Sequence, residues 1–175
     1  MTDQYPWYEI VQGDEIEQGD LLKACPVLVP IPELSLPSPD ETIVADQETF
    51  DVVIMTQSCD LVNDKTKEII LCPHWDLNEA GRIDGTLAQK DVQRQILKGY
   101  RYRYAMLAVS IHSDAPMGIR VVDFGRIFTL PKSFIQQFAE KQGKRLRLRP
   151  PYREHLSQSF ARFFMRVGLP QDINL

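Results

Sequence analysis

The sequence predicts an α+β fold in which a small antiparallel β-barrel carries two or three helices. Three observations predict it. Short apolar runs such as Asp51 to Thr56 (DVVIMT) alternate with turn chemistry in the first half of the chain, and do so again between Tyr104 and Phe124. After Pro151, Leu156, Phe160, Phe163, Phe164 and Val167 recur at the spacings of one helical face, which predicts an amphipathic helix packed on the barrel. The chain has 175 residues, 43% apolar and 25% charged, which suffices for one domain with a core that needs no metal or disulfide staple.

The elements follow in order. Residues 19–29 open with Gly19-Asp20 and continue as an apolar first strand. Pro30, Pro32, Pro37 and Pro39 each lack a backbone donor, so 30–39 reads as a surface loop. Glu41 to Glu48 is a second strand. Asp51 to Thr56 is a third, buried on both faces because Val52, Val53, Ile54 and Met55 are all apolar. The polar run from Asp60 to Lys65 is a wide turn, after which Glu68 to Cys72 returns antiparallel to the third strand.

Thr86 can cap a helix running to Leu97, with Gly99 as its left-handed stop and Ala88, Val92 and Ile96 on one face. Tyr104 to Val109 and Ile119 to Phe124 form a second strand pair. Arg126 to Thr129 leads into a helix begun by Pro131, with Phe134, Ile135 and Phe138 as its apolar stripe. Pro151 starts the final helix, and Gly168-Leu169-Pro170 ends it near Val167.

Composition narrows the function classes. No apolar run reaches the roughly 20 residues of a membrane span, and the first residues, MTDQYPWYEI, do not resemble a secretory signal, so the expected address is the cytosol. Cys25, Cys59 and Cys72 are too few and too odd in number for a disulfide scaffold and read as reduced thiols. The net charge of −4 conceals an asymmetry: residues 1–51 hold twelve acidic side chains against Lys23 alone. A uniformly basic nucleic-acid binder is thereby excluded, while a basic face on the later residues is not. There is no Gly-rich phosphate loop, G-x-S-x-G elbow or H-E-x-x-H pair.

Three residue groups carry possible chemistry. Thr56-Gln57-Ser58-Cys59-Asp60 lies where a buried strand opens into a polar turn. Cys59 there is a candidate nucleophile, with His74 as the base that the hairpin would bring to it and Asp60 or Asp76 orienting the ring. The structural alternative makes Cys59 a packing residue and turns Gln57, Ser58 and Asp60 to backbone hydrogen bonds. Cys25, Cys59, Cys72 and His74 sum to a zinc ligand set, but the usual C-x-x-C spacing is missing, and no metal or cofactor is expected. Finally, Arg101 and Arg103 alternate with tyrosines, and Arg145, Arg147 and Arg149 alternate with leucines. Extended, each set places its arginines on one face able to bind phosphates. The alternative pairs these arginines with the acidic first third. His112 and His155 read as surface or capping residues.

Gly19 to Leu22, Asp51 to Thr56 and Ile69 to Pro73, with Val121 to Phe138 behind them, resemble in layout the barrel of MazF/PemK-type toxins, whose members cleave RNA. That family has Arg-Pro where this chain has Phe50-Asp51, and Thr or Ser where it has His74-Trp75. The resemblance therefore implies that the barrel is SH3-like, and does not imply the cleavage. Thr56 to Leu61 and the tail Pro151 to Ser157 also resemble a family of uncharacterised bacterial proteins bearing a Thr-Gln-Ser-Cys-Asp-Leu segment, which implies a companion of defence or toxin–antitoxin genes. The expectation is a bacterial accessory, regulatory or binding protein whose partner is another protein, with nucleic acid as a second possibility through the arginine and tyrosine face. The alternative is an enzyme, either a hydrolase using Cys59 and His74 or a rewired ribonuclease of the MazF/PemK kind.

Overall fold

The computed structural model describes residues 6–30 and 45–165. Its strands are β1 (Tyr8–Val11), β2 (Leu21–Pro30), β3 (Ala45–Ile54), β4 (Glu68–Asp76), β5 (Tyr104–Leu107), β6 (Arg120–Asp123), β7 (Phe128–Pro131) and β8 (Arg145–Leu148). Its helices are α1 (Ser58–Val62), α2 (Leu77–Ile83), α3 (Lys90–Leu97), α4 (Lys132–Gln142) and α5 (Tyr152–Phe164), with a 3₁₀ turn at Gly85–Ala88. The protein is thus α+β, with every ladder antiparallel.

β3 and β4 form the centre. The Asp51 to Thr56 run pairs with the Glu68 to Cys72 run as expected, Val53 opposite Cys72 and Ile54 opposite Leu71. Alternation along β3 sends its side chains to two cores. Val53 and Met55 join Tyr8, Leu107, Phe124, Leu148 and Leu156 on one face. Val52 and Ile54 join Leu22, Leu71, Ile135 and Ala139 on the other. A continuous apolar run is what a strand with two buried faces requires.

Several elements differ from expectation, each for a visible reason. The separate strands at 41–48 and 51–56 are one strand from Ala45 to Ile54, because Thr49 and Phe50 keep pairing with Pro26 and Cys25. The turn after Thr56 contains α1, closed by Leu61 N–H to the Gln57 carbonyl at 3.1 Å. Thr86 lies in the 3₁₀ turn, whose start is capped by Asp84, and α3 begins after Gln89. Consequently Leu87, not Ala88, joins Val92 and Ile96 in the small core over Val121. Arg126 to Thr129 does not enter a helix directly: Phe128–Pro131 is β7, paired with Leu71 to Glu68 of β4, and α4 follows it. β1 and α2 had no strong sequence signal. Residues 31–44, most of the proline-rich loop, and the Gly168-Leu169-Pro170 stop lie outside the described residues.

Among the described residues the ladders do not close into a barrel. One order runs β2-β3-β4-β6-β5, with β7 also on β4, and a separate pair joins β1 to β8. The pair meets the larger sheet through a single bridge, Asp20 to Arg147. Between β5 and β1 among the described residues there is no ladder, only side chains: Tyr8 Oη donates to the Ala108 carbonyl at 2.8 Å, and His112 Nε2 lies 3.3 Å from the Tyr8 carbonyl. α5 packs behind this open seam through Leu156, Phe160 and Phe163. No helix of the described residues is long and apolar enough to cross a membrane.

Candidate functional site

The Thr56 to Asp60 corner is braced on every side. Thr56 Oγ1 accepts from Ile70 N–H at 2.7 Å, extending the β3–β4 contact past the last ladder pair. Ser58 Oγ accepts from Gln18 N–H at 3.2 Å, and Gln18 Nε2 donates to the Met55 carbonyl at 2.8 Å. Lys132 Nζ donates to the Leu61 carbonyl at 2.7 Å and to Asp64 at 2.8 Å. The Asp64 carboxyl is held below its usual range by that lysine. Cys59 is exposed, and its Sγ lies 3.6 Å from Gln57 Oε1 and 3.8 Å from Asp60 Oδ1, both acceptors.

His74 is not beside it. The residue is opposite Val122 at the far end of β4, buried, and two positions beyond the Cys72 that faces Val53. Its Nδ1 accepts from Arg120 Nε at 2.9 Å, which places the ring proton on Nε2. Arg120 also pairs with Asp51, whose other oxygen accepts from Ala24 N–H at 2.9 Å. Burial, with the Arg120 charge next, drives the His74 pKa down to about 3, so the imidazole is neutral at pH 7. Asp76 caps α2 through Asn78 N–H. Cys25 and Cys72 are buried, which pushes both thiols up to about 12. Among the described residues no three His, Cys, Asp or Glu side chains gather as a metal site requires.

A thiol prediction follows from exposure. Iodoacetamide is expected to modify Cys59 first and to leave Cys25 and Cys72 intact until the protein unfolds, as read by peptide mass mapping. Equal labelling of all three in the folded protein would contradict the burial of the other two.

The arginines divide into structural and available groups. Arg145 and Arg147 are withdrawn into the interior. Both pair with Asp20, Arg145 Nε at 2.9 Å, and Arg147 also reaches Glu17 at 2.7 Å, so this pair meets the acidic first third. Arg103 makes a two-toothed pair with Asp123, both contacts 2.8 Å, and its pKa is raised by that bond. Arg149 is exposed. Arg101 is exposed and bonds Gln95 Oε1 at 2.9 Å through Nε.

Arg101 opens onto a cleft of about 270 Å³ between β5 and α5. Two local features build it. Gly99, with φ of 73°, ends α3 and turns the chain so that Arg101 and Tyr102 reach the rim; a side chain at that position would lie 3.7 Å from the Arg162 guanidinium. On the other wall, Tyr152 stacks on Trp7 with ring centroids 3.9 Å apart, and Phe160 meets Phe124 edge-on at 5.5 Å. With Phe160 turned inward, His155, Ser159 and Arg162, spaced four and three apart, line the cleft as one helical stripe beside the stacked Trp7 and Tyr152. Arg162 and the cleft itself were missed in the sequence. The only signal was the i, i+4, i+7 spacing of polar residues flanking an apolar stripe.

Among the described residues no carboxylate lines this cleft. Among the described residues neither Arg101 nor Arg162 has an ion-pair partner. The concavity therefore combines two guanidiniums, an imidazole and aromatic walls, a combination suited to holding an anionic group beside an apolar one. In comparisons with known proteins, no family model, no curated protein and no solved structure matches this chain.

Proposed function

We propose that this chain is a binding protein that holds a negatively charged partner in the cleft between β5 and α5. The observation that carries the reading is the pair Arg101 and Arg162, facing one cleft with no carboxylate among its described lining residues, on a chain whose net charge is −4. On such a chain a cation-only concavity is a local exception, and it focuses potential on anions. The proposal includes a finer reading of the fold, an SH3-like barrel left open at the seam between β5 and β1. It also keeps the role of a bacterial accessory protein in a defence or toxin–antitoxin setting, where the partner is another macromolecule.

Trp7 lines the cleft and reports on it. In a Trp75→Phe background, its emission is expected to change on titration with at least one of three probes: polyglutamate, oligothymidylate or pyrophosphate. The change should weaken as salt is raised toward 0.15 M, where the screening length falls to about 8 Å. Arg101→Glu with Arg162→Glu should reduce the affinity at least tenfold. No response to any of the three at low salt overturns the proposal.

A further inference from the structure

The floor of the same cleft is the outer edge of β5, since Tyr104, Ala105, Met106 and Leu107 all line it. The pairing pattern tells which backbone groups that edge presents. Phe124 N–H donates to the Arg103 carbonyl at 2.8 Å, so Arg103 and Phe124 are a hydrogen-bonded pair of the antiparallel ladder. Such pairs alternate along the strand. Ala105 opposite Val122 and Leu107 opposite Arg120 are then the next bonded pairs, while Tyr104 and Met106 turn their N–H and C=O groups away from β6. Tyr104 N–H is already used by the Arg101 carbonyl at 3.1 Å. The Tyr104 carbonyl and both backbone groups of Met106 remain directed at the cleft.

Edge strands with unpaired groups are templates for another strand, and proteins that do not use them cover or charge them. Among the described residues this edge is neither paired nor given a strand-borne charge. It lies at the bottom of a cleft whose rim is cationic and whose walls carry Ile96, Leu97 and Leu156.

We infer that the occupant is an extended acidic peptide segment of a partner protein, which adds to β5 as a short antiparallel or parallel strand. The inference rests on the anionic-partner reading and narrows it. Met106 N–H and C=O hold the peptide backbone. Side chains on the outer face of the added strand, if acidic, meet Arg101 and Arg162, and alternate apolar ones lie against the leucine wall. Nucleic acid would use the same two arginines, but its phosphodiester backbone offers acceptors only and cannot donate to the Met106 carbonyl as a peptide strand does.

The test uses the intact protein and a fluorescein-labelled peptide, Val-Glu-Val-Glu-Val-Glu-Val. It is compared with the same peptide N-methylated at alternate residues and with labelled oligothymidylate of equal charge. The plain peptide is expected to bind, to lose at least tenfold in affinity on N-methylation, and to lose at least tenfold with Arg101→Glu/Arg162→Glu. Hydrogen exchange at the Met106 amide should slow when the plain peptide is bound. Met106→Pro removes one outward donor without touching the β6 ladder and should weaken the plain peptide. Equal binding of the methylated peptide, or unchanged exchange at Met106, overturns strand addition while leaving an anion-binding cleft. Binding of oligothymidylate with none of either peptide overturns the peptide in favour of nucleic acid. Failure of all three probes overturns the peptide, and the anion-binding reading falls with it when polyglutamate and pyrophosphate fail as well.

Discussion

Replacing Asp20 with alanine is expected to destabilise the protein by about 3–5 kcal/mol, the range for removing one partner from a buried charge network. Asp20 is fully buried and accepts from Arg145 Nε and from Arg147 Nε and Nη2, while the two guanidiniums also hold the Gly13 and Glu15 carbonyls. Without the carboxylate, Arg145 stays buried with no counter-charge among the described residues and Arg147 keeps only the partly exposed Glu17, and the bridge from β8 to Asp20 loses its anchor. Such a loss is a large part of the roughly 5–15 kcal/mol that holds a domain folded. Urea unfolding followed by circular dichroism measures it, with Asp20→Asn as the milder variant if the alanine form does not fold. Asp114→Ala, which breaks only the half-exposed pair with Lys144, should leave the midpoint where it was. A midpoint for Asp20→Asn equal to the wild type would show that the network does not hold β8.

The second large effect is on acid stability, through His74. Its folded pKa is depressed from 6.5 to about 3 by burial and by Arg120, with Asp51 opposing and Lys23 reinforcing the shift. Between those values the unfolded chain binds a proton that the native chain does not. The stability contributed by neutral His74 is therefore complete above pH 6.5 and is lost as the pH falls toward 3. The expected slope from this one group is about 1.4 kcal/mol per pH unit. His74→Gln retains an acceptor for Arg120 and cannot take up the proton. The difference between wild-type and His74→Gln unfolding free energies should consequently grow with acidification below pH 6. Parallel curves from pH 7 to pH 4.5 would remove His74 from the acid response. Nε2 of His74 is buried with no partner among the described residues, so the variant need not be less stable at neutral pH.

The polar corner at Thr56 to Asp60 shows how a segment can be legible as important and illegible as to why. Its residue types and its place after a buried strand are visible in sequence. Whether those hydroxyls and amides meet substrate or backbone depends on Gln18 and Ile70 arriving from other strands, as Ser58 and Thr56 show. The arginines carry the same lesson. Alternation in Arg145-Leu146-Arg147-Leu148 specifies two faces for β8, and both turn out to be buried, the leucines in the core with Val53, Phe124 and Leu156 and the arginines against Asp20 and the Gly13 and Glu15 carbonyls.

The sequence by itself determined the α+β class, the pairing of Asp51 to Thr56 with Glu68 to Cys72, the end of α3 at Gly99 and the inward placing of Leu156, Phe160 and Phe163 on α5, whereas Phe164 of the same predicted stripe is exposed. These follow from local periodicity and from residues whose backbone preferences act within a few positions. The tertiary structure alone decided that 45–54 is one strand, that the sheet stays open between β5 and β1, that His74 sits with Arg120 and not with Cys59, and that Arg101 shares a cleft with Arg162. Each of those depends on contacts between residues far apart in the chain. Burial and electrostatic pairing at such contacts are set by three-dimensional proximity, which neither periodicity nor spacing encodes.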